Sequence, residues 1–75
     1  MKNKMYMTPK FKEARLKMGW SQREMADAIK LLIDEKITQT TVSKWEKQIR
    51  PIDMQLAVWI ARYLKIDIKD LIERK

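Results

Sequence analysis

Hydrophobic positions along the chain fall into five short runs with the period of a helix, and each run opens on a capping signal. Thr8-Pro9 reads as an N-cap followed by proline at the first helical position. Phe11, Ala14 and Met18 then share one stripe, and Gly19 suits the left-handed residue just beyond the helix end. In WSQREM, Ser21 and Glu24 have capping-box spacing, while Trp20 and Met25 have that of a hydrophobic staple. Met25, Ile29, Leu32 and Ile33 continue that apolar face. The staple-and-cap spacing recurs at Ile37-Thr38 with Val42, at Ile52-Asp53 with Ala57, and at Ile66-Asp67 with Leu71, where Asp70 stands three residues after the cap. The pattern predicts helices over residues 9–18, 22–35, 39–47, 54–64 and 68–73. No run of four or more residues alternates as a strand. The expected fold class is all-α, a compact five-helix bundle.

The third of these helices is unusually polar. KITQTTVSKWEKQ, residues 36 to 48, contains three threonines, two glutamines and a serine around Ile37, Val42 and Trp45. With Thr38 as cap, Val42 and part of Trp45 turn inward, leaving Gln39, Thr40, Ser43, Lys44 and Lys47 outside. The DNA major groove admits an α-helix and displays a code of donors, acceptors and thymine methyls. Glutamine can pair with adenine, a threonine methyl can touch a thymine methyl, and lysine can reach guanine or a phosphate. The competing reading is an ordinary solvated helix face.

Charge shifts the balance between the two. The 75 residues hold 17 lysines and arginines against 10 acids, a net charge of +7 that favours a polyanionic partner. The excess is concentrated early, with six basic residues and only Glu13 among residues 1 to 17. Lys2 and Lys4 precede the first cap, so residues 1–7 read as a basic N-terminal arm and 8–75 as a single domain. A frayed terminus is the alternative for the arm. The absence of cysteine and histidine excludes disulfides and makes a structural zinc site or thiol and imidazole catalysis untenable. No glycine-rich phosphate loop is present, so neither an enzyme nor a cofactor site is expected. No apolar run approaches the roughly 20 residues of a membrane span. MKNKMYMTPK lacks the apolar stretch of a signal peptide. A cytoplasmic, nucleoid-associated protein is the expectation.

Phe11 to Ala26 (FKEARLKMGWSQREMA), Thr38 to Glu46 (TQTTVSKWE) and Ile60 to Ile72 (IARYLKIDIKDLI) together resemble the helix-turn-helix regulators of the XRE and phage Cro/repressor type, the lambda-repressor-like fold. The resemblance implies a five-helix bundle whose second and third helices form the DNA-binding unit. It implies base contacts from Gln39, Thr40 and Lys44, and backbone contacts from Gln22, Thr41, Ser43, Lys47 and Arg50, joined by Lys2 and Lys4 of the arm. It also implies a structural salt bridge between Arg15 and Glu46. The chain departs from the family pattern twice. Sixteen positions separate Ala26 from Val42, six more than usual, and the additional residues are roughly Lys30 to Glu35. They read as a lengthened second helix and turn, with Lys36 where the family has glycine. After Glu46 the chain reads KQIRP, placing Gln48 at another usual glycine and Pro51 directly after Arg50.

These residues lead to the expectation of a transcriptional regulator of double-stranded DNA, most simply a repressor on a palindromic operator. The alternative is an antitoxin-type or protein-binding module, whose partner would be a protein such as a toxin or an antirepressor. A homodimer is expected, with Trp59, Tyr63, Ile68 and Ile72 as its interface. The competing account is that Trp59 covers the inserted Leu31, Leu32 and Ile33.

Overall fold

The computed structural model describes residues 4–75. Its elements run β1 (Met5–Met7), α1 (Pro9–Lys17), α2 (Gln22–Leu32), α3 (Gln39–Glu46), α4 (Met54–Leu64), α5 (Ile68–Leu71) and β2 (Ile72–Arg74). Five helices dominate, as the apolar periodicity predicts. Each is started by the residue expected. Thr8, Ser21, Thr38, Asp53 and Asp67 all accept backbone N–H groups of their own first turns. At Ser21 the capping box closes, with Ser21 N–H donating to Glu24 Oε1 at 2.8 Å and Glu24 N–H to Ser21 Oγ at 3.1 Å. Such caps satisfy amides that have no partner inside the helix and contribute about 1 kcal/mol each.

One core joins these elements. Phe11 of α1 meets Trp45 of α3 edge to face, ring centroids 6.0 Å apart. Met25 and Ile29 of α2, Val42 of α3, Ile60 of α4 and Leu71 of α5 pack around them, each fully buried.

Two short strands are the main departure from the expected all-helical chain. Met5–Met7 pairs antiparallel with Ile72–Arg74 in the register Met5↔Arg74, Tyr6↔Glu73 and Met7↔Ile72. Lys4 and Lys75 extend the ladder by exchanging backbone hydrogen bonds at 3.3 and 2.9 Å. The outer edge of β1 is also satisfied: Ile52 N–H donates to the Met5 carbonyl at 2.8 Å, and the Gln48 side chain to the Met7 carbonyl at 2.7 Å. The arm expected over residues 1–7 is therefore held to the body from Lys4 onward; Lys2 lies outside the described residues. The last helix stops at Leu71 rather than 73. Leaving it there lets Ile72 and Met7, both buried, face each other beneath the sheet. Ile72 is a core residue and not part of an exposed interface.

The lengthened second helix ends at Leu32, three residues short of the expected boundary, and a six-residue connection leads to α3. Asp34 organises it, its Oδ1 accepting Lys36 N–H and its carbonyl accepting Ile37 N–H. Met25 and Ile29 are buried and Ile33 packs against the core, four residues apart along one line. Leu31 and Leu32 lie off that line and are 83% and 60% exposed. Trp59, itself 49% exposed, therefore leaves both in contact with solvent. Its ring instead carries the Arg62 guanidinium, 5.7 Å from the centroid.

Candidate nucleic-acid interface

The candidate interface is built around α3. Counting from the cap Thr38, residues three and four positions on fall on the same side, so Thr41, Val42 and Trp45 form the buried face. The opposite side carries Gln39, Thr40 and Lys44, all exposed, with Ser43 half-buried at its margin. Lys47 caps the helix C-terminus and is exposed. These five residues line one shallow recess. Gln22, the first residue of α2, closes one side of it, and Ile49 another.

Thr41 is a correction. The resemblance implies a backbone contact, but its side chain is 6% exposed and its hydroxyl lies 3.3 Å from that of Thr38. It belongs to the inner stripe, four residues before Trp45, and only its edge reaches the surface, away from Gln39, Thr40 and Lys44. Arg50 is exposed but lines a separate recess with Asp34, Lys36 and Thr41, beside the start of α3. Lys4 is exposed at the sheet. Ile49 also lines the recess beside α3, which the sequence pattern did not single out; its signal was an apolar side chain just beyond a polar helix, where no core stripe required one.

Arg15 and Glu46 fix where α3 sits. Arg15 Nε donates to Glu46 Oε2 at 2.7 Å and Nη2 to Oε1 at 3.0 Å, a bidentate pair whose side chains are only 8% and 5% exposed. Arg15 Nη1 also donates to the Trp20 carbonyl at 2.9 Å, and the Gln22 amide donates to Glu46 Oε1 at 3.0 Å. One cation thereby joins the end of α1, the turn before α2 and the last residue of α3. The fork geometry of arginine suits this role, since each donor has a fixed direction. Gln22 is oriented by the same cluster, and its amide keeps a second N–H beside the α2 N-terminus, where an anion is favoured.

The end of α3 is closed by backbone bonds. Gln48 has φ 59°, its N–H donates to the Trp45 carbonyl, and Ile49 N–H donates to the Lys44 carbonyl, both at 3.1 Å. This is the Schellman arrangement, normally served by glycine at the left-handed position. Glutamine there carries a strain of about 1 kcal/mol. Its side chain offsets that by bonding to Met7, Glu73 and Lys75 of the sheet.

Among the described residues, Lys44, Lys47 and Arg50 have no acidic partner within salt-bridge distance, whereas Glu46 is occupied. The surface around α3 thus presents unpaired cations and short donors and acceptors. Every buried side-chain nitrogen or oxygen among the described residues is hydrogen-bonded, so no polar group waits inside the body for a ligand. No helix among them is long and apolar enough to cross a membrane.

A protein-family model described as Helix-turn-helix matches residues 11–71. No curated protein and no solved structure matches the chain.

Proposed function

The chain belongs to the helix-turn-helix family of DNA-binding regulators, and from that premise we propose that it is a sequence-specific repressor that reads double-stranded DNA with α3 in the major groove. One observation carries this reading: α3 buries Thr41, Val42 and Trp45 and turns Gln39, Thr40 and Lys44 outward. Those outward side chains can match base edges, glutamine to adenine and lysine to guanine. Ser43, Lys47 and Arg50 contact the sugar-phosphate backbone, as do Gln22 with the first amides of α2, and Lys4 where the flanking DNA passes the sheet. Repression follows from occupancy alone, a bound protein excluding polymerase from an overlapping promoter.

The operator is a palindrome occupied by a homodimer, with half-sites about 34 Å apart. A domain this small makes too few base contacts for high specific affinity alone. Exposed Trp59 and Tyr63 on α4 and half-buried Ile68 at the start of α5 support such an association.

The test is selection of bound sites from a random DNA pool, followed by affinity measurements over a salt series. Gln39→Ala should weaken the selected site by about 1–3 kcal/mol and relax preference at one position, whereas Lys47→Ala should weaken all sequences alike and reduce the salt slope by about one. A flat salt dependence would favour the protein-binding alternative and refute the reading.

A further inference from the structure

Among the described residues three helices end in the same way, and one of them behaves differently. At the end of α1, Gly19 is left-handed at φ 72° and Trp20 N–H bonds back to the Arg15 carbonyl at 3.1 Å. At the end of α4, Lys65 is left-handed at φ 58° and Ile66 N–H bonds to the Ala61 carbonyl at 2.9 Å. At the end of α3, Gln48 and Ile49 repeat the pattern. In this motif the apolar residue after the left-handed position usually folds back against the last helical turn. Trp20 and Ile66 turn inward, both half-buried and packed on the core. Ile49 does not. It is 65% exposed and stands as the apolar wall of the recess lined by Gln39, Thr40, Ser43, Lys44 and Lys47.

We propose that Ile49 is a specificity-determining residue of the DNA interface, recognising a thymine through its 5-methyl group. The inference rests on the DNA-reading function of α3 and adds to it. Base edges in the major groove offer donors and acceptors throughout, and the thymine methyl is the apolar group among them. An isoleucine beside base-reading side chains therefore has one complementary feature to meet, and cytosine lacks it. Its backbone is already fixed: the bond to Lys44 holds its N–H, and the Gln48 side chain ties the preceding residue to the sheet. Little further ordering is needed when the methyl arrives, which keeps the entropic cost of the contact low.

The experiment uses the full chain and the site it selects from a random pool. Each thymine of that site is replaced in turn by deoxyuridine, which removes the methyl and leaves pairing unchanged. Wild type should lose about fourfold in affinity at one thymine, the worth of one buried methyl. Ile49→Ala, with an unchanged melting temperature, should bind the thymine and deoxyuridine sites equally there. If Ile49→Ala keeps the wild-type discrimination at every position, the proposal is overturned while DNA reading by α3 stands. It is equally overturned if Ile49→Ala alters only self-association in sedimentation, which would make Ile49 a contact between copies. Failure of wild type to select any site would remove the DNA-reading function itself, and this contact with it.

Discussion

Removing one partner of the Arg15–Glu46 pair is the sharpest perturbation available to this fold. Both side chains are more than nine-tenths buried, so Arg15→Met leaves a carboxylate out of water with only the Gln22 amide to stabilise it. Glu46→Leu leaves the guanidinium with a single remaining acceptor, the Trp20 carbonyl. Breaking a buried pair from either side costs about 3–5 kcal/mol. A domain of this length has roughly 4–11 kcal/mol of total stability, so either variant should lose between about a third and nearly all of it, melting on the order of 20 °C lower. The double variant Arg15→Met with Glu46→Leu removes both charges and fills the space with apolar side chains. It should regain most of the loss, so the coupling in the double-mutant cycle should exceed the cost of either single variant and be on the order of 5 kcal/mol. Urea unfolding followed by far-UV circular dichroism measures all four corners. Single variants that each cost less than about 1 kcal/mol, with no coupling, would place the pair among solvent-exposed ion pairs and refute the reasoning.

Thr41→Val should lower stability by about 1 kcal/mol through loss of the Thr38 contact, with DNA affinity held within about twofold; a tenfold loss of affinity at unchanged melting would mean that Thr41 faces DNA. Gln48→Gly and Gln48→Ala both remove the bonds to the sheet, yet the glycine variant should be the more stable by about 1 kcal/mol, since only alanine retains left-handed strain. Equal stabilities in urea would show that the backbone there relaxes. Trp59→Ala and Ile68→Asp should shift sedimentation at micromolar concentration toward monomer, and a wild type that is monomeric throughout, bound one-to-one to an asymmetric site, rules the homodimer out.

The helices were legible because their signals are local. A cap, its capping-box partner and a staple lie within six residues, and Ser21, Glu24, Trp20 and Met25 can be read without knowing the rest of the molecule. The strands were not legible, because three residues carry no periodicity and the partner of Met5 is Arg74. Thr41 was misplaced for another reason. The inward stripe through Val42 and Trp45 was visible, but the resemblance suggested a backbone contact at a position whose spacing to Trp45 pointed inward. Gln48 could be identified as a departure from glycine, although its compensation lies in Met7, Glu73 and Lys75, remote in the chain. The Arg15–Glu46 pair was named from resemblance alone, since nothing local connects residues 31 positions apart.

The small sheet has a consequence for the timing of folding. Bringing Met5 to Arg74 closes nearly the whole chain into a loop, at an entropic cost of roughly 4 kcal/mol, whereas neighbouring helices such as α2 and α3 meet across a short connection. On this ground pairing of the strands should follow helix docking rather than nucleate it, and the energy it contributes should be absent from the transition state. The sheet accordingly retards unfolding more than it hastens folding. Because Gln48 ties it to the end of α3, each transient opening of the strands also loosens the last turn of that helix, and the two regions should exchange amide hydrogens as one cooperative unit.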